Sequence, residues 1–170
     1  DAGEPAQAEQ VINAGLAQYP DDIDLLFARS LVLDKLNRLP DMEQDLRRIL
    51  ALDPDNAHAL NAWGYTLADR GVRLDEAHRL ISRALELSPD NPYILDSMGW
   101  VLHRMGQSEA ALGYLTRSLE LLPDAEVYAH IGEVLRTLGR LDEARRTVAE
   151  GLEATPDDLR LLALKRQLAP

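Results

Sequence analysis

Five of the Pro-Asp pairs in the sequence follow one another at an almost constant interval. The pairs begin at Pro20, Pro54, Pro89, Pro123 and Pro156, so the successive intervals are 34, 35, 34 and 33 residues. Self-similarity at a period of roughly 20 to 50 residues is typical of solenoids, in which each repeat packs on its neighbours. Because proline cannot continue a helix and Asp is a favoured N-cap, each pair predicts the end of one helix and the start of the next.

Each interval divides into two amphipathic halves, in which apolar residues three and four apart predict one buried stripe per helix. A small residue near the centre of the first half allows two antiparallel helices to approach closely, and these residues are Gly64, Gly99 and Gly132. A second glycine suits the left-handed backbone at the end of the first helix, at Gly71, Gly106 and Gly139. The pattern predicts helices at residues 5–18, 22–36, 39–52, 56–70, 74–87, 91–105, 108–121, 124–138, 141–154 and 157–168.

This pattern resembles the tetratricopeptide-repeat (TPR) family over almost the entire chain. The period, the small-residue position, the glycine between the helices and the terminal proline all recur. The resemblance implies an all-α, right-handed superhelical solenoid of antiparallel helix pairs, with the first helix of each pair lining the concave face. It divides a single array at residues 1–170 into the second helix of a truncated repeat, four units and a terminal helix. These segments are 5–18, then 22–54, 56–89, 91–123 and 124–156, and then 157–168.

Two residues of the predicted core stripes lead to specific expectations. Arg29 stands where the family has a large apolar residue, and a charge in a core stripe needs a partner. We predict that Arg29 pairs with Glu43 or Asp45 on the following helix. Trp63 lies on the core stripe of its own helix, so we expect it to pack inside the solenoid rather than to face a ligand.

Charge and composition exclude several classes of partner. The net charge of -11 argues against nucleic acid, which needs a clustered basic surface, and against docking on anionic lipid. The chain has no cysteine, so disulfides and cysteine-zinc sites are excluded. No uninterrupted apolar run approaches the length of a membrane span, so we expect no direct membrane insertion by these residues.

Residues of the first helices that fall off the core stripe are candidates for contact with a protein or peptide partner. They are Phe27, Asn61, Tyr65, Tyr93, Asp96, Trp100, His103, Arg104, His130 and Glu133. Aromatic rings flanked by Asn and His suit an extended or helical peptide, because the rings bury apolar area and the polar groups fix the register. An alternative stays open for Tyr65 and Trp100, whose rings could pack between adjacent first helices and add only stability.

We expect no enzyme, no metal site and no cofactor. His58, His103 and His130 all face inward, but they come from three repeats and no two of them are spaced one turn apart on one helix. The carboxylate pairs Asp75-Glu76 and Asp142-Glu143 begin second helices, where they favour the positive end of the helix dipole. The sequence contains no Gly-rich phosphate loop, nucleophile elbow or zinc signature.

Two stretches, at residues 61–69 and 95–102, resemble the C-terminal repeats of large bacterial TPR lipoproteins of the outer membrane. Such proteins include adaptors of carboxyl-terminal processing proteases. The resemblance implies a scaffold for a periplasmic protease or its substrates, on the periplasmic side of the outer membrane through a lipidated N-terminus upstream. The alternatives are a cytoplasmic location and a module that associates with itself through the open ends of the array.

Overall fold

In the computed structural model, which describes residues 3–169, the chain forms ten α-helices. These are α1 (Gly3–Gln18), α2 (Ile23–Lys35), α3 (Leu39–Leu52), α4 (Ala57–Asp69), α5 (Leu74–Leu87), α6 (Pro92–Arg104), α7 (Ser108–Leu121), α8 (Ala125–Thr137), α9 (Leu141–Ala154) and α10 (Leu159–Gln167). Helix pairs α2/α3, α4/α5, α6/α7 and α8/α9 pack as hairpins, and α10 packs on α8 and α9. Residues 1, 2 and 170 of the predicted array lie outside the described residues.

The second helices of the four pairs begin and end at the residues that the sequence predicted. The first helices are one residue shorter at each end, because the predicted ranges included the N-cap and the C-cap residue. The side chains of these N-caps accept hydrogen bonds from backbone N–H groups of the first turn, and the residues are Asp22, Asn56, Asn91 and Asp124. α10 begins two residues later than predicted, at Leu159 after the N-cap Asp158, and ends one residue earlier, before the C-cap Leu168.

The Asp of the Pro-Asp pair serves as the N-cap only at Asp124, which corrects the expectation from the sequence. In the other units the following residue takes that place, since it is the one with extended backbone and a side chain that reaches the first turn. Three of the displaced carboxylates instead pair with an arginine on the second helix of their own unit. These ion pairs are Asp21–Arg48, Asp55–Arg83 and Asp90–Arg117.

The glycines at the centres of the first helices lie where two helices touch, as predicted. A methyl group added at Gly64 would lie 2.5 Å from Ile81 Cγ1 and 2.9 Å from the backbone oxygen of Ala77. Gly71 ends α4 with a left-handed φ of 67°, and its N–H donates to the carbonyl of Ala68. Asn37 takes the equivalent place in the first unit with a φ of 56°, which Asn tolerates better than most residues.

Arg29 pairs with Asp45, one of the two partners that the sequence predicted. Its Nε and Nη2 donate to the two carboxylate oxygens at 2.8 and 2.6 Å, and the Asp45 side chain is only 4% exposed. The hydrogen bonds to Asp45 raise the pKa of Arg29 above its ordinary value. The other candidate, Glu43, pairs with Arg47 and Arg73.

Trp63 is buried in the core, as predicted, and the guanidinium of Arg47 lies 5.1 Å from its ring centroid. Leu67 on α4 and Ile81 on α5 are fully buried in the same core.

Between residues 3 and 169, no helix combines the length and the apolar character that crossing a bilayer requires.

Candidate functional site

An open cleft of about 410 Å³ lies where α4, α6, α8 and α10 meet. These four helices occupy the first-helix positions of consecutive repeats, so the cleft is on the face that the family pattern makes concave. We call it the inner cleft. It is lined by Tyr65, Asp69, Trp100, Ala129, His130, Glu133, Arg160, Ala163, Leu164 and Gln167.

Small side chains leave the space that the inner cleft occupies. Ala129 is buried at its base and Ala163 is half-buried on the α10 wall. Leu164 packs so closely on α8 that a methyl group added at Gly132 would lie 2.8 Å from its Cδ2 atom. Because α8 and α10 touch at Gly132, the opening lies to one side of that contact and does not separate the two helices.

A stack of rings forms another wall of the inner cleft. The Trp100 and His130 ring centroids are 4.2 Å apart with an angle of 15° between the planes, and the Tyr65 ring lies 6.3 Å from His130. The guanidinium of Arg104 also lies over Trp100, at 5.6 Å from the ring centroid. Packing between first helices therefore accounts for much of the Trp100 and Tyr65 surface, as the alternative interpretation expected, and the remaining part of each ring lines the cleft.

Asp96 pairs with His130, a buried member of this stack. His130 Nδ1 lies 2.8 Å from Asp96 Oδ1, and the two residues are 7% and 4% exposed. An ionised carboxylate can only accept, so Nδ1 carries the proton and donates to it. Both residues were predicted to contact a partner, but Asp96 is buried outside the cleft lining and only a small part of His130 is exposed there. Burial raises the pKa of Asp96, and the hydrogen bond from His130 opposes that change.

The raised pKa of Asp96 predicts a specific pH dependence for Asp96→Asn, which keeps an oxygen that can accept from His130. A carboxyl group whose pKa is higher in the folded state contributes stability below its ordinary value of 3.8, and this contribution is lost as the pH rises through the folded pKa. The free energy of unfolding of the wild type, minus that of Asp96→Asn, should therefore fall as the pH rises above about 4. Urea unfolding at a series of pH values measures this difference, and a rise with pH would contradict the prediction.

Tyr65, Glu126 and Arg160 connect three helices around the inner cleft. The Tyr65 hydroxyl donates to Glu126 Oε1 at 2.5 Å, and Arg160 Nη1 donates to the same oxygen at 2.6 Å. Burial, and then the negative charge of Glu126, raise the pKa of Tyr65. Burial would also raise the pKa of Glu126, but the hydrogen bonds from Tyr65 and Arg160 outweigh it and lower that pKa. These bonds fix α4, α8 and α10 relative to one another and so hold the shape of the cleft.

The charged groups at the rim of the inner cleft differ in how far they are already paired. Arg136 donates to both carboxylate oxygens of Glu133, and Arg104 Nη1 donates to the backbone carbonyl of Asp69 at 2.7 Å. The Asp69 carboxylate is exposed and has no hydrogen bond or ion pair with any residue between 3 and 169. Among the described residues of the rim, the Asp69 carboxylate is therefore available to a cation of a partner, although Arg104 bonds the backbone carbonyl of the same residue.

The ten predicted contact residues fall into two groups in the structure. Those in or directly behind the inner cleft are Tyr65, Asp96, Trp100, His103, Arg104, His130 and Glu133. His103 packs on Trp100 and lies 2.9 Å from Ser108 Oγ, and burial lowers its pKa. Phe27 lies apart with its ring against His58, Asn61 lies on α4 outside the cleft lining, and Tyr93 is 64% exposed beside a separate small opening.

Sequence reasoning missed the α10 wall of the inner cleft, which consists of Arg160, Ala163, Leu164 and Gln167. Residues 157–168 were predicted only as a terminal helix. However, the last Pro-Asp pair of the regular series, Pro156-Asp157, precedes α10 in the way that the earlier pairs precede the other first helices. That repeated signal could have assigned α10 an inward face like theirs.

A second opening, of about 770 Å³, lies on the opposite surface between α7 and α9. We call it the outer groove. Its base includes Leu112 and the buried side chains of Ile131 and Leu135, and Gly113 and Thr147 lie on its two walls. Charged residues of both signs surround it, including Glu120 and Arg146. Among the described residues, no group of three His, Cys, Asp or Glu side chains is arranged to hold a metal ion.

Family models described as tetratricopeptide repeat match residues 1–57, 27–92, 80–113 and 102–168 of the chain. One of these models alone matches residues 1–92, which is more than half of the sequence. The chain is also 50% identical over 127 residues to the TPR repeat-containing protein PA4667 of Pseudomonas aeruginosa. That match covers 75% of the chain but only 22% of the relative, so the chain spans about a fifth of the length of that protein.

Solved structures give the same fold. TTC0263, a thermophilic TPR protein of Thermus thermophilus, superposes with a TM-score of 0.87 at 22% identity, over 98% of this chain and 91% of that one. YrrB, described as a TPR protein with an unusual peptide-binding site, superposes with a TM-score of 0.67 at 24% identity, over 95% of this chain and 83% of that one. These likenesses confirm the all-α solenoid of helix pairs.

Proposed function

Because the chain belongs to the tetratricopeptide-repeat family, we propose that it is a protein-binding adaptor whose inner cleft holds a segment of its partner. The TPR fold generally mediates protein–protein interaction, and its members are typically scaffolds rather than catalysts. The observation that carries the proposal is the inner cleft itself, which is open, apolar at its base and bordered by hydrogen-bonding groups. The peptide-binding site described for the similar protein YrrB supports it.

Contacts within the chain preform the walls of the inner cleft in the absence of a partner. The Tyr65–Glu126–Arg160 hydrogen bonds and the Asp96–His130 pair fix α4, α6, α8 and α10. A preformed site loses less conformational entropy on binding than one that must be ordered. Large apolar side chains that enter such a pocket usually supply most of the affinity of an interface. The arrangement therefore favours one anchoring side chain of a partner segment.

We further propose that the partner is a periplasmic carboxyl-terminal processing protease or one of its substrates, on the periplasmic side of the outer membrane. The resemblance of residues 61–69 and 95–102 to outer-membrane TPR lipoproteins supports this proposal. Fractionation of bacterial cells that express the protein tests the location, because recovery in the cytoplasm would favour the alternative compartment. Co-purification of such a protease from the membrane fraction tests the partner.

The adaptor role predicts that a tryptophan placed in the inner cleft abolishes partner capture. Ala163→Trp fills the cleft from a half-buried position, and Thr147→Trp is the matched control in the outer groove. The wild type and both variants, each shown to be folded by circular dichroism, are used to capture proteins from a bacterial envelope extract. We expect a protein that the wild type and Thr147→Trp retain and Ala163→Trp loses. Loss with Thr147→Trp alone would move the site to the outer groove.

Self-association is the second candidate function, and exposed apolar side chains near the two ends of the array favour it. Val11 on α1 is 74% exposed and Leu159 on α10 is 80% exposed. Burial of such side chains between copies would be favourable by roughly 1.5–3 kcal/mol each. Light scattering over a range of concentrations tests this, since a mass that rises with concentration and falls in Leu159→Lys would support assembly.

A further inference from the structure

Building on the proposed function, we infer that the inner cleft selects a basic partner segment, in which a large apolar side chain fills the cleft and an adjacent Lys or Arg contacts Asp69. Three features of the site favour such a segment: the apolar base of the cleft, the pairing of the rim cations, and the Asp69 carboxylate, which has no partner among residues 3–169.

The base of the inner cleft suits an apolar anchor. Ala129 and Leu164 are buried and Ala163 is half-buried, and the exposed part of Trp100 lies beside them. A side chain of the size of Leu or Phe would bury its surface against these groups. Transfer of such a side chain from water contributes roughly 1.5–3 kcal/mol. A polar or charged side chain in the same place would lose its hydration without a matching set of partners.

Cations around the inner cleft are already engaged by acceptors of this chain. Arg160 donates to Glu126 at 2.6 Å, and Arg136 donates to both oxygens of Glu133. Arg104 donates to the carbonyl of Asp69 and lies over Trp100. An acidic partner would have to compete with these contacts, so the rim offers little gain to a carboxylate.

Unlike these cations, the Asp69 carboxylate is not bonded to a group of opposite charge among residues 3–169. Asp69 is the last residue of α4, where the helix dipole adds partial negative charge to that of the carboxylate. The carboxylate is exposed, and it is near enough to Tyr65 to contribute to the raised pKa of that phenol. Arg104 bonds only the backbone carbonyl of Asp69, and no cation among residues 3–169 bonds its carboxylate, so a cation from a partner would satisfy that carboxylate best. The net charge of -11 further favours the approach of a basic segment.

The test is a selection from a display library of random short peptides on immobilised wild-type protein, compared with Ala163→Trp. We expect the wild type to enrich peptides in which Lys or Arg neighbours a large apolar residue. Asp69→Lys is expected to weaken a representative selected peptide by about tenfold, equivalent to about 1.4 kcal/mol. Glu120→Lys makes the same change in net charge on the opposite surface and should weaken it by less than about twofold. Fluorescence anisotropy of the labelled peptide measures both.

The outcomes separate this inference from the proposed function. If no peptide is enriched on the wild type relative to Ala163→Trp, the inner cleft is not a peptide site and the proposed function fails together with the inference. If peptides are enriched but are acidic, or bind Asp69→Lys as well as the wild type, only the inference is overturned. Enrichment of basic peptides that Asp69→Lys no longer retains supports both.

Discussion

Replacing Arg29 by methionine is expected to lower the free energy of unfolding by about 3–5 kcal/mol, which is a large fraction of the stability of most domains. The reason is that Asp45, whose side chain is 4% exposed, would lose both hydrogen bonds from the guanidinium and remain as a buried charge. Methionine has a similar length and can fill the space, so the loss reports the unpaired carboxylate rather than a cavity. Urea unfolding followed by circular dichroism measures it.

The double variant Arg29→Met/Asp45→Leu is the decisive control, because replacing both partners by apolar groups removes the buried charge as well. We expect it to recover most of the stability that the single variant loses. Arg48→Met breaks a comparable pair in which both side chains are about half exposed, with Asp21, and should cost less than about 1 kcal/mol. Equal losses in Arg29→Met and in the double variant would show that the ion pair is not the source of the effect.

The substitution Gly64→Ala is expected to lower the free energy of unfolding by about 2–3 kcal/mol, although alanine has a higher helix propensity than glycine. The new Cβ would lie 2.5 Å from Ile81 Cγ1 and 2.9 Å from the Ala77 carbonyl oxygen, so α4 and α5 would have to separate. Because the second contact is with backbone, a side-chain rotation cannot relieve it.

Gly113→Ala is the matched control for this prediction. Gly113 lies within α7, and a Cβ built there meets no atom within 4 Å. With no clash to oppose it, the change should stabilise the protein by up to about 1 kcal/mol through helix propensity. Thermal unfolding of both variants measures the pair of effects, and a stabilised Gly64→Ala would contradict the close helix approach described above.

Local signals in the sequence predicted the helices well. The four second helices are bounded by a turn before them and by Pro-Asp after them, and both signals act through backbone geometry that a single residue imposes. The first helices differed by one residue at each end because the flanking N-cap and C-cap residues were counted as helical, while their backbone is outside the helix. Arg29 could be assigned a partner because a charge on a core stripe restricts the choice to acids on the helix packed against it.

The inner cleft was only partly predictable. Helical periodicity shows which side of a helix a residue occupies, but it does not show whether the space between neighbouring first helices is open or filled. Asp96 and His130 are 34 residues apart, and their pairing depends on how closely α6 approaches α8. The sequence also could not show that Ala129 and Ala163 line a cleft, because a small residue leaves space only where the side chains around it are larger.

The most direct test of the central claim is to map where a selected peptide binds, using amide chemical shifts of the isotope-labelled protein. We expect the largest shifts on the inner-cleft residues of α4, α6, α8 and α10, such as Trp100 and Ala163, and we expect Ala163→Trp to abolish them. Shifts that cluster instead around Gly113 and Thr147 in the outer groove, and that persist in Ala163→Trp, would contradict the claim.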